Sequence, residues 1–157
     1  MLGDLARWLR IMGYDTLYSR NYEDWQILRI AEKSGRIVVT KDKWLYIRAR
    51  KRDLKAVLIE SFDTKNRLAE LARKAGISLS ADPSISRCPE CNGSLREVRD
   101  KTLIKDRVPP NALSVYEVFY VCTRCGKVYW RGGHWRNIEA VLKEARQLIR
   151  RSARRLS

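Results

Sequence analysis

"RIVVTKDKWLYIRARKRDLKAVLIES", residues 36–61, sets two apolar runs on either side of a basic one. RIVVT (36–40) is short, apolar and β-branched, which suits a buried parallel strand. KAVLIES (55–61) is a second run of the same kind. LYIRARKR (45–52), between them, predicts a short and highly basic helix. Strand, helix and strand in that order form a βαβ unit, whose two strands lie parallel in one sheet.

The flanking sequence extends the alternation. Upstream, Leu2, Leu5, Leu9 and Met12 recur at helical spacing over residues 2–12, with Arg7 and Arg10 pointing elsewhere and Gly13 as the stop. Residues 24–34 repeat the pattern, with Trp25, Leu28 and Ala31 on one stripe and Gly35 as the stop. Downstream, Leu68, Leu71, Ala72 and Ala75 predict a helix closed by Gly76. ISLSADPSIS (77–86) has the serine and proline content of a linker. The expected architecture is α/β. A mostly parallel sheet is flanked by helices, although the chain opens on a helix where such folds normally open on a strand.

Beyond residue 86 the chemistry changes. Cys88 and Cys91 form one CxxC pair, and Cys122 and Cys125 form another. Two thiolates two residues apart reach one ion if the backbone turns tightly, and four make the tetrahedral set that zinc prefers. Gly93 and Gly126 stand where such turns need them. A redox CxxC uses one pair at a helix start, and disulfides suit oxidising compartments. Four cysteines among hairpin signals therefore point to a closed, structural zinc site that does no chemistry. SVYEVFYVC (114–122) and KVYW (127–130) alternate and are aromatic, predicting a hairpin around the second pair. His134 is left outside the metal shell. Ile138, Val141, Leu142, Ala145 and Leu148 predict a helix over 137–150, followed by an arginine-rich tail expected to fray.

Composition bounds the function. The chain has 157 residues and a formal net charge of +15, from 33 basic and 18 acidic residues. A charge of that size suits a polyanionic partner, because neutralising phosphates releases counterions. It is concentrated in residues 1–77 (17 basic, 10 acidic) and 131–157 (8 basic, 2 acidic). No run of eighteen apolar residues occurs, which excludes a helical membrane span. Charges at Asp4, Arg7 and Arg10 interrupt any secretory segment, so the expected compartment is the cytoplasm.

Three carboxylates stand out. Asp42 follows the first strand and Asp63 the second, at the strand ends where α/β sheets bind ligands. Asp24 opens a helix, where N-capping is its ordinary use. Aspartates at adjacent strand ends offer the hard oxygen ligands that magnesium or manganese take. Such ions activate water and stabilise the charge on a phosphodiester under attack. Lys41, Lys43, Arg48 and Arg50 surround Asp42 and suit a phosphate backbone, as does Arg7.

These motifs together carry a resemblance. MLGDLARWLRIMGYDT, ILRIAEKSGRIVVTKDKWL, RCPECNGSL, VPP and CTRCGKVYWRGGHW resemble the PIN-like ribonuclease family with a C-terminal zinc ribbon, the Mut-seven C-terminal RNase domain. The resemblance spans nearly the whole chain. It implies a PIN-like nuclease domain over 1–80, a zinc ribbon over 86–136, and a basic C-terminal helix and tail over 137–157. It implies a metal-dependent ribonuclease site on which Asp24 and Asp42 match the family's acids, with Asp63 a looser match. The family carries a strand before the MLG helix that ends in another aspartate, and this sequence as given opens at that helix. Asp4 does not stand in for it.

Two functional readings follow. The first is an RNA-cleaving enzyme using magnesium or manganese, with Trp130, Trp135 or Tyr129 available to stack on bases. The second is an RNA-binding zinc-ribbon module without catalysis, or a protein–protein adaptor. An uncovered sheet edge offers pairing with a second copy.

Overall fold

A computed structural model describes residues 2–156. These residues fall into two compact units that are not linear segments. The first takes the chain through Leu5, Tyr18–Leu79, and the residues from Glu144 onward. The second takes Ala6–Leu17 and Ser80–Lys143. Helices α1 (Gly3–Ile11) and α6 (Gly133–Leu156) each contribute to both.

In the first unit, β1 (Val38–Thr40) and β2 (Ala56–Leu58) pair parallel, with Val38 opposite Ala56 and Thr40 opposite Leu58. The crossover is α3 (Lys43–Lys51), as residues 36–61 predicted. Leu45 and Ala49 of α3 pack with Val38 and with Leu28 and Ala31 of α2 (Asp24–Ser34) to form a core. Burying Leu28 and Leu45 contributes roughly 1.5–3 kcal/mol per side chain relative to exposure. Trp25, expected on the α2 core stripe, is instead 55% exposed, its indole N–H donating to Glu23. Position 25 lies in the first helical turn, beyond the Leu28–Ala31 contacts.

Helices α3 and α4 (Thr64–Ala75) start earlier than the apolar spacing suggests, because each has an aspartate N-cap. Asp42 accepts from the backbone N–H of Trp44 and Leu45, and Asp63 from that of Asn66. Glycine at 35 and 76 closes α2 and α4 in the left-handed region, as expected. The arginine-rich tail does not fray. It continues α6 to Leu156, and Arg73 of α4 donates to Ser152 while Lys65 pairs with Glu144. Tertiary partners supply what the tail's own composition does not.

The second unit is a three-stranded antiparallel sheet in the order β3-β4-β5: Leu95–Val98, Phe119–Cys122 and Val128–Tyr129. Its core gathers Val98, Ile104, Val108, Ala112, Phe119, Val121 and Val128. The predicted hairpin is real but shorter. Residues Pro110–Val115 form α5, with proline preset for the first helical turn, before the strand begins at Phe119. A short 3-10 turn, Lys101–Leu103, precedes it. The chain is therefore a mixed α/β protein with small sheets, a four-cysteine ribbon and a C-terminal helix. Among the described residues no helix is long and apolar enough to cross a membrane.

Candidate functional site

The two cysteine pairs fold into two turns of one design. Cys88 N–H donates to the Gly93 carbonyl at 2.8 Å, and Cys122 N–H to the Lys127 carbonyl at 2.9 Å. Each turn closes with a return bond, Asn92 N–H to Cys88 and Gly126 N–H to Cys122. The residue after each second cysteine is left-handed, with φ of 68° at Asn92 and 78° at Gly126. Asparagine and glycine are the residues that reach this conformation most readily.

The turns bring all four sulfurs within 4.8 Å of one another. Cys88 and Cys125 are 3.7 Å apart, and Cys91 and Cys122 3.4 Å. Four sulfurs about 2.3 Å from a central zinc stand roughly 3.8 Å apart, so in number, type and spacing the set fits that ion. Gly93 makes room for it. A Cβ there would lie 2.7 Å from Cys122 Sγ and 3.2 Å from Cys91 Sγ.

Electrostatics favour a cation at this point. Burial pushes the Cys122 thiol up, but the backbone N–H groups of Cys125 and Arg124 outweigh it and bring it down to about 6. For Cys125 the Lys127 backbone N–H favours the thiolate. Burial and the three neighbouring sulfurs outweigh it and hold the thiol up at about 12. Burial also raises Cys91. Cys122 is thus the thiol of these three that favours the thiolate, and a divalent ion would lower the others. The Tyr129 hydroxyl lies 3.1 Å from Cys88 Sγ, where it can hydrogen-bond the sulfur and fix its direction toward an ion.

Sequence reasoning missed two residues that brace the first turn. Arg10, expected to point away, is buried, and its guanidinium donates to the carbonyls of Thr16 and Pro89 at 2.9 and 2.8 Å. Asn92 accepts from Thr16 N–H and donates to Asp15. The left-handed position after Cys91 was the available signal for Asn92. Nothing local marked Arg10, whose partner Pro89 is 79 positions away.

The aspartates have a different setting. Asp42 and Asp63 occupy the N-caps of the helices that follow β1 and β2. Asp24 is the first residue of α2 rather than its cap, which is Glu23, and it pairs with Arg48 of α3. Asp63 also accepts from the Asn66 side chain at 2.7 Å, and the Asn66 bonds hold its carboxyl below the usual range. Asp4 accepts from the Thr64 hydroxyl at 2.8 Å. In donor type these acids suit magnesium or manganese. Among the described residues, however, the cysteines are the one group of three or more ligand side chains gathered closely enough for an ion.

Lys41, Lys43, Arg48 and Arg50 are exposed. Arg7 belongs to the second unit and pairs with Glu90 at 3.7 Å. His134 is exposed in the first turn of α6, outside the sulfur group. Of the aromatics considered for stacking, Trp130 meets Phe119 edge-to-face at 6.0 Å, Tyr129 faces Cys88, and Trp135 bonds Glu139 with Arg131 over its ring.

Glu70 is a further residue that spacing did not single out. It is 4% exposed and receives the backbone N–H of Glu60 at 3.0 Å and of Ser61 at 2.9 Å. Burial raises its carboxyl, but Lys74 and the two N–H groups outweigh this and bring it to about 2. It fixes the loop between β2 and Asp63.

Fold and site together define a mixed α/β protein with a four-cysteine ribbon that could hold a metal, and with aspartates at the starts of helices beside exposed lysines and arginines. The family model described as the Mut7-C RNAse domain matches residues 1–142, and the chain belongs to that family. It is thus an RNase domain, for which RNA is the implied substrate. No curated protein and no solved structure is matched.

Proposed function

We propose that the chain is a metal-dependent endoribonuclease that binds RNA across the carboxyl edge of β1 and β2. The placement of Asp42 and Asp63 carries this reading. Each starts the helix after a strand of the parallel pair, at the edge where α/β sheets present ligands. Asp42, Asp63 and Asp24 would hold magnesium or manganese, which supplies an activated water and charge stabilisation at the phosphorus. Lys41 and Lys43 hold the phosphate backbone beside Asp42, and Arg50 extends the contact along α3. Arg48, once released from Asp24, adds another cation. The ribbon holds zinc as a structural brace and takes no part in the reaction.

One observation favours a second reading, RNA binding without cleavage. The three carboxylates already have partners: two cap helices and the third pairs with Arg48. Cleavage of a labelled single-stranded RNA in manganese, by wild type and by Asp42→Asn, separates the two. Asparagine is as good an N-cap as aspartate, so the variant keeps the helix start. The nuclease reading expects cleavage that falls at least about 100-fold in the variant, with RNA affinity retained. Equal rates would remove Asp42 from the mechanism. Binding without cleavage by wild type would leave the second reading.

A further inference from the structure

Trp44 and Phe62 are 73% and 90% exposed, the two most solvent-accessible large apolar side chains of the first unit. Both follow the carboxyl ends of the paired strands: Trp44 in the first turn of α3, two residues after Asp42, and Phe62 on the loop just before Asp63. A single exposed apolar residue on a mobile tip calls for no explanation. These two are different, because their backbones are pinned.

Trp44 N–H donates to Asp42 Oδ1 at 2.8 Å, which fixes it in the first turn of α3. Phe62 is held from both sides. Ser61 N–H donates to buried Glu70 at 2.9 Å, the Ser61 carbonyl accepts from Arg67 at 2.9 Å, and Asp63 caps α4. An apolar residue just before an N-cap ordinarily packs on the fifth residue onward from itself, forming a hydrophobic staple. Here that residue is Arg67, which turns to the Ser61 carbonyl instead. Phe62 is left standing in solvent on a rigid support. Arg67 and Glu70 act as positioning residues for it.

We infer that Trp44 and Phe62 form a base-stacking platform for single-stranded RNA at this edge. The inference rests on the RNA reading above and adds what the edge selects. Rigid aromatic faces stack on unpaired bases of any sequence, and the bases of a duplex do not offer those faces. Charge favours a nucleic acid over an apolar protein surface, since exposed Lys41 and Lys43 precede Trp44 by three and one positions. A backbone held by these lysines brings its bases to the rings.

The test compares equilibrium binding of a short oligouridylate, a matched RNA duplex and inorganic polyphosphate, without magnesium or manganese so that no cleavage occurs. The proteins are the full chain, Trp44→Ala, Phe62→Ala and Trp44→Phe, each checked for native circular dichroism. Each alanine variant is expected to bind oligouridylate about 5- to 150-fold more weakly, the range for one lost base stack. Polyphosphate affinity is expected to stay unchanged, and Trp44→Phe to keep most of the RNA affinity.

Equal weakening for RNA and polyphosphate, or no weakening, would overturn the platform while the RNA reading stands. Wild type that binds no RNA at all would overturn both. Sedimentation showing a self-association that the alanine variants abolish, with RNA affinity unaltered, would assign the rings to a second copy and overturn the platform.

Discussion

Gly93→Ala adds one methyl group at the most crowded point of the ribbon. Its Cβ would stand 2.7 Å from Cys122 Sγ, 3.2 Å from Cys91 Sγ and 3.0 Å from the Arg124 Cβ. Carbon and sulfur do not approach that closely without a bond, so a sulfur or the turn must move by about 1 Å. A structural zinc site tolerates departures of about 0.2 Å from its ideal distances. The turn cannot simply retreat, because the Gly93 carbonyl receives Cys88 N–H at 2.8 Å. Losing part of one ligand from a site worth roughly 10–16 kcal/mol should weaken zinc binding by about 3–4 kcal/mol, or some 100- to 1,000-fold. Gly133→Ala is the control, since a Cβ there meets nothing within 4 Å. Competition against a chromogenic chelator reads both constants. Gly93→Ala protein that holds zinc as tightly as Gly133→Ala would refute the steric argument and the arrangement of sulfurs on which it depends.

Zinc loading at neutral pH should release about two protons or more per chain, since Cys91 and Cys125 are held protonated and Cys122 is not; pH-stat titration counts them. Glu70 should give the protein an acid-labile contribution. Its folded pKa of about 2 lies below the ordinary value of 4.5, so the stabilisation is present above pH 4.5 and is lost as pH falls towards 2. That depression corresponds to about 3 kcal/mol. Glu70→Gln should lose it at neutral pH and flatten this part of the pH profile of denaturant unfolding. Phe119, fully buried and edge-on to Trp130, should cost about 3–5 kcal/mol when replaced by alanine, read as a lowered urea midpoint in the zinc-loaded protein.

What was legible in the sequence was local. The CxxC pairs fix their own turns through bonds spanning four or five residues, so spacing alone located the four-sulfur cluster. The apolar runs at 36–40 and 55–61 contain the paired strands, although only three residues of each are paired. Helix ends at Gly35 and Gly76 were visible because only certain residues turn left-handed there. What escaped depended on distant partners. LREV at 95–98 lacks a strand's usual apolar alternation and becomes one by pairing with Phe119–Cys122. Arg10 is buried by carbonyls it meets only in the folded chain, and the tail stays helical beside α4. Among the aspartates the sequence suggested a cap only at Asp24, yet Asp24 is the first residue of α2 behind Glu23, and the caps are Asp42 and Asp63, because each carboxylate accepts from backbone N–H groups two or three residues on.

The most direct measurement is the rate at which zinc-loaded protein cuts an end-labelled single-stranded RNA in manganese. Wild type is to be compared with the combined Asp24→Asn, Asp42→Asn and Asp63→Asn variant, with bound RNA quantified in the same samples. The account predicts internal cuts by wild type, and equal binding without cuts by the variant. Cuts at the same rate by both proteins would contradict it, as would tight binding by wild type with the RNA left whole.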